Sequence, residues 1–171
     1  PEVPQNLAYD SGIGKKDRAD AAFAGAHKVV SLRLVNNRLV ANFMEPRGAI
    51  GEYDAGEDRY TLTVSSQGVH GLQDTLATKI MNLPPEKIRV VTGDVGGGFG
   101  VKTFMYREYP LVLAAAKRLG RPVRWLSDRS EHFLADAHGR DNVTVAEMAL
   151  DEKGRFLGLR IDLIGGLGAY P

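Results

Sequence analysis

Residues 88–102 read IRVVTGDVGGGFGVK, a short apolar strand that runs directly into a glycine cluster. Five of the eight residues from Gly93 to Gly100 are glycine. Because glycine has no Cβ atom, the backbone N–H groups of such a loop can approach a ligand closely. The stretch predicts a strand, a glycine loop and a helix in succession, with the helix over residues 103–119 and Gly120 at its end.

The patterns on either side of this unit predict further strands and helices. Leu72, Leu76 and Ile80 recur at helical spacing and predict a helix over residues 69–81. Apolar runs and polar–apolar alternation predict strands over residues 29–35, 39–43, 60–65, 88–92 and 123–126, and short helical segments over 20–26 and 130–135.

The C-terminal part of the sequence has the clearest pattern of all. Residues 143–150 and 156–164 are strand-like and flank a four-residue turn that ends in Gly154. This arrangement predicts an antiparallel hairpin. The predicted fold class is therefore α+β: mixed α/β layers with a strand–glycine loop–helix unit and a C-terminal antiparallel hairpin.

Composition excludes several classes of protein. The 171 residues are 43% hydrophobic and 25% charged, carry a net charge of +1 and contain no cysteine. Disulfide frameworks, thiolate zinc sites, cysteine-ligated iron–sulfur clusters and cysteine nucleophiles are thus excluded within this sequence. The near-zero charge argues against nucleic-acid binding, and no apolar run reaches the roughly 18–20 residues that span a bilayer. We expect a cytoplasmic protein that does not insert into membranes.

The two ends of the sequence predict a piece of a longer polypeptide. The chain begins at Pro1 without an initiator Met and stops at Pro171, a few residues after a strand-like run. Residues 1–18 are polar and predict a flexible N-terminal segment, and residues 19–171 predict the folded part.

Familiar nucleotide motifs nearly match the glycine loop but fail. No register satisfies Gly-x-Gly-x-x-Gly, and Val101 separates Gly100 from Lys102 where a P-loop needs them adjacent. Two alternatives remain open from the residues alone: a loop over Gly93–Gly100 that binds a nucleotide or phosphate, and a tight turn that binds nothing.

Other polar residues carry weaker signals. Gln67 ends the predicted strand at 60–65, where a neutral amide can donate one hydrogen bond and accept another, although its spacing alone favours a surface or capping role. The charged stretch over residues 127–140, with His132 and His138, is typical of a solvated surface. Residues 44–48 on their own predict a surface turn.

Taken in order, these pieces resemble one family. The residues are Met44-Glu45-Pro46-Arg47-Gly48, Ser66-Gln67, Gly96-Gly97-Gly98-Phe99-Gly100 with Lys102, Gly120-Arg121-Pro122-Val123-Arg124-Trp125, Asp128-Arg129 with Glu131, and Gly168-Ala169-Tyr170. Their order and spacing resemble the molybdenum-binding large subunit of the xanthine dehydrogenase, aldehyde oxidase and aerobic carbon monoxide dehydrogenase family. The resemblance is strongest to the carbon monoxide dehydrogenase large chain and makes residues 19–171 part of a molybdopterin-binding domain.

The resemblance implies an oxidoreductase that oxidises carbon monoxide, an aldehyde or a heterocycle with oxygen from water. Electrons would pass from molybdenum to a 2Fe-2S small subunit and an FAD medium subunit, and the cofactor would be molybdenum–molybdopterin cytosine dinucleotide. Gln67 would hydrogen-bond an oxo ligand of the metal. Gly97, Gly98, Phe99 and Gly100 would line the cofactor, with no residue of this chain binding the metal directly.

The sequence also departs from the pattern of the family it resembles. The purine-hydroxylating members of that family have Glu where this sequence has Thr103, so the resemblance disfavours a xanthine-type substrate. The family's general base and the later loop, which carries a copper-binding cysteine in carbon monoxide enzymes, would lie beyond Pro171. We therefore expect residues 1–171 alone to be inactive, to lack the cofactor and to self-associate through exposed apolar surface.

Overall fold

The computed structural model describes residues 4–168, and the chain divides into two compact units. The first comprises Pro1–Leu39 and Arg140–Pro171, and the second comprises Val40–Gly139. Helices and strands are mixed, so the predicted α+β class is confirmed. Within residues 4–168, no helix has both the length and the apolar character needed to cross a membrane.

The first unit is a three-stranded antiparallel sheet with one helix. Its elements are α1 (Lys16–Ala24), β1 (Lys28–Asn36), β8 (Asn142–Leu150) and β9 (Phe156–Gly165), after a short 3₁₀ turn at Pro4–Asn6. The sheet order is β1-β8-β9, and the β8–β9 pairing confirms the predicted hairpin. Gly154 turns the chain at a φ of +75°, a conformation that favours glycine.

The sheet of the first unit has one covered and one open face. Helix α1 lies against Gly158, where an added Cβ would sit 2.9 Å from the Cβ of Ala22. On the other face, cross-strand rows such as Leu32–Ala146–Ile161 are apolar, and Leu32 and Ile161 are 55% and 57% exposed. The prediction of self-association through exposed apolar surface stays a prediction.

The second unit is a four-stranded sheet packed against a helix. Its main elements are β3 (Gly48–Asp54), β4 (Arg59–Val64), α2 (Val69–Asp74), β5 (Ile88–Val91), α3 (Glu108–Leu119), β6 (Val123–Leu126) and α4 (Arg129–Ala135). A π-helical turn (Thr75–Met81), 3₁₀ turns at Pro85–Lys87 and Val101–Thr103, and the two-residue strands β2 (Leu39–Val40) and β7 (His138–Gly139) complete the fold. The sheet order is β5-β4-β3-β6, with only the β4–β5 pair parallel.

The core of the second unit lies between the sheet and α3. Leu62, Leu76 and Leu113 are fully buried there. Gly51 permits the close approach of the helix, because an added Cβ would lie 2.6 Å from the backbone of Val112. The sheet and helix therefore form a rigid base for the loops at the ends of β4 and β5.

One strand was missed, and two predicted elements have different bounds in the structure. Strand β3 was not predicted, and the strand predicted over 39–43 shrinks to Leu39–Val40. The helix predicted over 103–119 begins at Glu108, because a start at residue 103 would place Pro110 in the helix interior, without an N–H and against the preceding turn. The glycine loop thus leads into a 3₁₀ turn at Val101–Thr103 and not directly into an α-helix.

The N-terminal segment also differs in its secondary structure. Helix α1 begins at Lys16, so residues 16–18 are helical and lie inside the segment predicted to be flexible. Residues 1–3 lie outside the described residues, as do Ala169 and Tyr170 of the resemblance. The predicted flexibility and the predicted domain boundary stay predictions.

Candidate functional site

The glycine loop follows β5 and is held in a left-handed backbone conformation at three positions. Gly97 and Gly100 have φ angles of +92° and +91°. Phe99 has a φ of +49°, which is uncommon for a residue with a side chain and costs roughly 1–3 kcal/mol. The ring of Phe99 is 77% exposed. The loop therefore holds an aromatic side chain at its surface in a strained backbone.

Gln67 is fixed to this loop through one of its two amide ends. Its Oε1 accepts hydrogen bonds from the backbone N–H groups of Gly100, at 3.0 Å, and Lys102, at 3.2 Å. A Cβ added to Gly98 would lie 2.3 Å from the same oxygen, so glycine is needed for this contact. With the oxygen held inward, the exposed Nε2 amino group donates to no acceptor within residues 4–168.

The backbone beside Gln67 offers further donors. Gly97 N–H donates to the carbonyl of Val95, and Val101 N–H donates to that of Gly98. Across the described ranges, the N–H groups of Gly98 and Phe99 donate to no protein acceptor. Two backbone donors and one side-chain donor are therefore left for a ligand.

A buried lysine and a carboxylate lie beside the glycine loop. Lys102 Nζ donates to Glu45 Oε2 at 2.7 Å and to Ser65 Oγ at 2.8 Å. Ser65 Oγ donates to the same Glu45 oxygen at 2.7 Å, and Gly96 N–H donates to it at 2.8 Å. The Lys102 side chain is fully buried, with its Nζ 4.6 Å from the centre of the Phe43 ring.

The surroundings of Glu45 keep it ionised. Partial burial opposes the charge, but hydrogen bonds from Lys102, Ser65 and Gly96 and the charge of Lys102 outweigh that effect. Together they hold the pKa of the Glu45 carboxyl below its ordinary value.

A second charged cluster lies around Arg47, which corrects two predictions of exposed surface. Arg47 and His132 are 0% exposed and Asp136 is 6% exposed. Arg47 Nε donates to Asp136 Oδ1 at 2.6 Å, and His132 Nδ1 lies 2.6 Å from Asp136 Oδ2. Arg47 Nη1 also donates to Glu108 Oε2 at 3.2 Å. Residues 44–48 are thus not only a surface turn, and the stretch 127–140 is partly core.

Aromatic rings enclose this second cluster. The guanidinium carbon of Arg47 lies 3.5 Å from the centre of the Tyr106 ring. Burial would lower the pKa of Arg47, but Asp136 and Glu108 raise it above its ordinary value. Burial also raises the pKa of Tyr106 to about 12. The Tyr106 hydroxyl donates to the carbonyl of Val101, at the end of the glycine loop.

Arg129 fixes the segment that faces the loop. Its guanidinium donates to the carbonyls of Phe43, at 2.8 Å, and Met44, at 2.9 Å. Asp128 caps α4 by accepting from the N–H of Glu131 at 2.7 Å. Asp128 and Arg129 therefore make structural contacts.

A groove of about 280 Å³ lies beside the loop on the sheet face away from α3. Its polar lining includes Glu45, Ser65, Asp94 and Arg124. In the described part of the chain, no group of three His, Cys, Asp or Glu residues could hold a metal ion. The site thus offers hydrogen-bond donors beside a groove.

Residues 1–171 match the molybdopterin cofactor-binding domain family, and the chain belongs to that family. The predicted resemblance is confirmed. The chain is 33% identical over 170 residues to the carbon monoxide dehydrogenase large chain of Hydrogenophaga pseudoflava, covering 99% of this chain and 21% of that one.

Other relatives match a similar share of this chain and of their own length. The nicotine 6-hydroxylase large subunit of Paenarthrobacter nicotinovorans is 35% identical over 169 residues, covering 99% of this chain and 20% of that one. Carbon monoxide dehydrogenase from Oligotropha carboxidovorans has a TM-score of 0.80 at 31% identity, covering 90% of this chain and 19% of that one. Quinoline 2-oxidoreductase from Pseudomonas putida 86 has a TM-score of 0.75 at 34% identity, covering 85% and 18%. The chain spans about a fifth of the length of these relatives.

The structure brings together most of the predicted site residues. Gln67 lies against both Gly98 and Gly100, and Gly97 and Phe99 belong to the same loop. The sequence analysis gave no role to Glu45 or Lys102, although both stand in quoted motifs. The place of Lys102 two residues after Gly100 does not reveal that its side chain is buried.

Proposed function

We propose that this chain forms part of a molybdenum hydroxylase large subunit and that its glycine loop binds the molybdenum–molybdopterin cofactor. The observation that carries the proposal is the outward amino group of Gln67, whose oxygen is already used by Gly100 and Lys102. An oxo ligand is a hydrogen-bond acceptor, and a neutral amide can bind it without adding charge.

The neighbouring donors fit the same group. The free N–H groups of Gly98 and Phe99 lie next to Gln67 in the loop, and Gly98 is buried against it. The bound cofactor would supply two-electron oxidation with oxygen from water. Gln67 would orient it, Gly97, Gly98 and Gly100 would let the backbone approach it, and the exposed Phe99 ring would shield its reacting side from water.

The finer assignment follows the relatives. We propose the cytosine dinucleotide form of the cofactor, and a carbon monoxide, aldehyde or heterocycle substrate in place of a purine. We propose further that a small subunit carries the 2Fe-2S clusters and a medium subunit carries FAD, a division that fits the absence of cysteine from residues 1–171. The general base would lie outside residues 1–171, so these residues alone would be inactive and cofactor-free. A cytoplasmic location is part of the proposal.

The test replaces Gln67 in the complete large subunit, purified with its partner subunits from a host that makes the cofactor. In Gln67→Glu, one carboxylate oxygen still accepts from Gly100 and Lys102, but the amino donor becomes an acceptor. We expect turnover with carbon monoxide or an aldehyde to fall about a hundredfold, as when one preorganised donor is removed, with a changed Mo(V) EPR spectrum.

The control is Gln5→Glu, which makes the same charge change at an exposed residue outside the loop. It is expected to keep the molybdenum content, turnover and spectrum of the unmodified enzyme. Unchanged molybdenum content, turnover and spectrum in both Gln67→Glu and Gln67→Ala would overturn the proposed role of Gln67.

A further inference from the structure

One carboxylate oxygen joins the middle of the glycine loop to the residue that follows its end. Glu45 Oε2 accepts from Gly96 N–H, inside the loop, and from Lys102 Nζ, two residues after Gly100. Glu45 also donates its own backbone N–H to the carbonyl of Gly96 at 3.1 Å. Glu45 itself lies on a separate segment, before β3. The loop is thus closed across its base by contacts that involve none of the residues expected to touch the cofactor.

We propose that Glu45 and Lys102 are positioning residues, whose buried ion pair holds the glycine loop and Gln67 in the cofactor-binding arrangement before any cofactor is present. We call Glu45, Ser65 and Lys102 together the loop clamp. The part of the inference that concerns the cofactor rests on the proposed function. The part that concerns the shape of the loop does not.

Lys102 links the clamp to Gln67 through its backbone. Lys102 N–H donates to Gln67 Oε1, and Gln67 N–H donates to the Lys102 carbonyl at 3.1 Å. Ser66 Oγ donates to the same carbonyl at 3.3 Å. A displacement of Lys102 would therefore move both the backbone and the amide of Gln67.

The charge of Lys102 is what ties its side chain to Glu45. The Lys102 side chain is fully buried, and Glu45 is the only carboxylate paired with it among the described residues. A buried ammonium without its carboxylate is strongly unfavourable. Loss of the Glu45 charge would therefore push Lys102 toward solvent and open the base of the loop.

The first test measures amide hydrogen exchange by NMR in the 171-residue chain without cofactor. The variants are Lys102→Met and Glu45→Gln, with Lys87→Met as the control, because Lys87 makes an ion pair with Asp58 at the surface. We expect the amides of Gly96, Gly100 and Lys102 to exchange at least about tenfold faster in both clamp variants, since a charge-assisted hydrogen bond is lost. Amides of β4 should keep their rates.

A double-mutant cycle separates the clamp from general packing. If the pair acts as a unit, the variant with both substitutions should exchange no faster at these amides than Lys102→Met alone. If Lys102→Met unfolds the chain, Glu45→Gln decides, because the glutamine keeps an acceptor for Gly96 N–H. The proposed clamp would be overturned if the loop amides exchanged in Glu45→Gln at the rate of the unmodified chain. It would also be overturned if Lys87→Met accelerated their exchange as much as Glu45→Gln does.

The second test measures molybdenum and pterin per subunit in the complete enzyme carrying the same variants. We expect Glu45→Gln to lower both at least about fivefold, with Lys87→Met unchanged. Faster exchange together with unmodified cofactor content would overturn the role of the clamp in cofactor binding. An unmodified enzyme that contains no molybdenum would overturn the proposed function while leaving the loop result standing.

Discussion

Glu45 and Arg47 lie two residues apart in one segment, yet each belongs to a different charged cluster. Glu45 meets Lys102 and Ser65 at the base of the glycine loop. Arg47 meets Asp136 and Glu108 in the interior. Pro46 between them fixes its own φ, and residues 44–47 precede β3 outside any regular strand.

The two clusters differ in how much water reaches them. The side chains of Arg47 and Asp136 are 0% and 1% exposed, whereas that of Glu45 is 40% exposed although its partner Lys102 is 0% exposed. The Arg47 cluster joins two residues of the second unit that are 89 positions apart. The Glu45 cluster contacts the glycine loop. Enclosure from water therefore separates a cluster that maintains the fold from one that shapes a site.

The largest expected effect comes from removing the carboxylate of the interior cluster. Asp136→Asn leaves Arg47 and His132 without their shared charged partner. We expect the free energy of unfolding to fall by roughly 3 kcal/mol, the lower end for breaking a buried ion pair, because Arg47 keeps Glu108 as its other carboxylate partner. Urea denaturation followed by Trp125 fluorescence measures this loss.

The matched control is Asp58→Asn at the surface. Asp58 pairs with Lys87 and Lys117 and is exposed, so its loss should cost less than about 1 kcal/mol. Equal losses for Asp136→Asn and Asp58→Asn would contradict the distinction between the two kinds of cluster.

A smaller effect is expected inside the loop. In Gly98→Ala the new Cβ would displace the Gln67 amide, the movable end of a side chain, so the free energy of unfolding should fall by only about 1 kcal/mol. The hydrogen bonds from Gly100 and Lys102 to Gln67 should nevertheless break. Hydrogen exchange at those two amides, beside urea denaturation, checks this combination of small stability loss and large local change.

Gly93→Ala serves as the control for this substitution. Nothing lies within 4 Å of a Cβ added at Gly93, and its φ is outside the left-handed region. Its stability and loop protection should match those of the unmodified chain. Protection of Gly100 and Lys102 that survives in Gly98→Ala would show that Gln67 does not hold the loop.

The smallest expected effect is a pH dependence that belongs to the loop clamp. Because folding lowers the pKa of Glu45, its contribution to stability is fully present above its ordinary pKa of 4.5 and is lost as pH falls through the lower folded value. Between pH 6 and pH 3, the unmodified chain should therefore lose more stability than Glu45→Gln. Parallel losses measured by urea denaturation across this range would contradict a charged clamp.

Much of the fold could be predicted from local patterns. Period-two alternation located β4, helical spacing located residues 69–81, and a turn ending in Gly154 located the hairpin. Strand β3 was missed because Gly48 and Gly51 break the apolar signal, although Gly51 is the residue that lets α3 approach the sheet. Helix α3 was predicted too long because the position of Pro110 was not weighed against its start.

The candidate site was also predictable only in part. Gln67 and the glycine loop could be identified from the order of their motifs, since both lie in recognisable runs of sequence. The pairing of Lys102 with Glu45, 57 residues away, and of Arg47 with Asp136 could not be predicted. Charged residues in a polar stretch are typical of surface, and nothing local indicates that a distant partner will be buried with them.

The sequence by itself determined the strands, the hairpin, the glycine loop and the family, because each depends on residues close together in the chain. Tertiary structure alone decided which charges are buried, which oxygen of Glu45 accepts from both Gly96 and Lys102, and which end of the Gln67 amide faces outward. Those outcomes depend on distant segments meeting, where desolvation makes a charge tolerable only beside its partner.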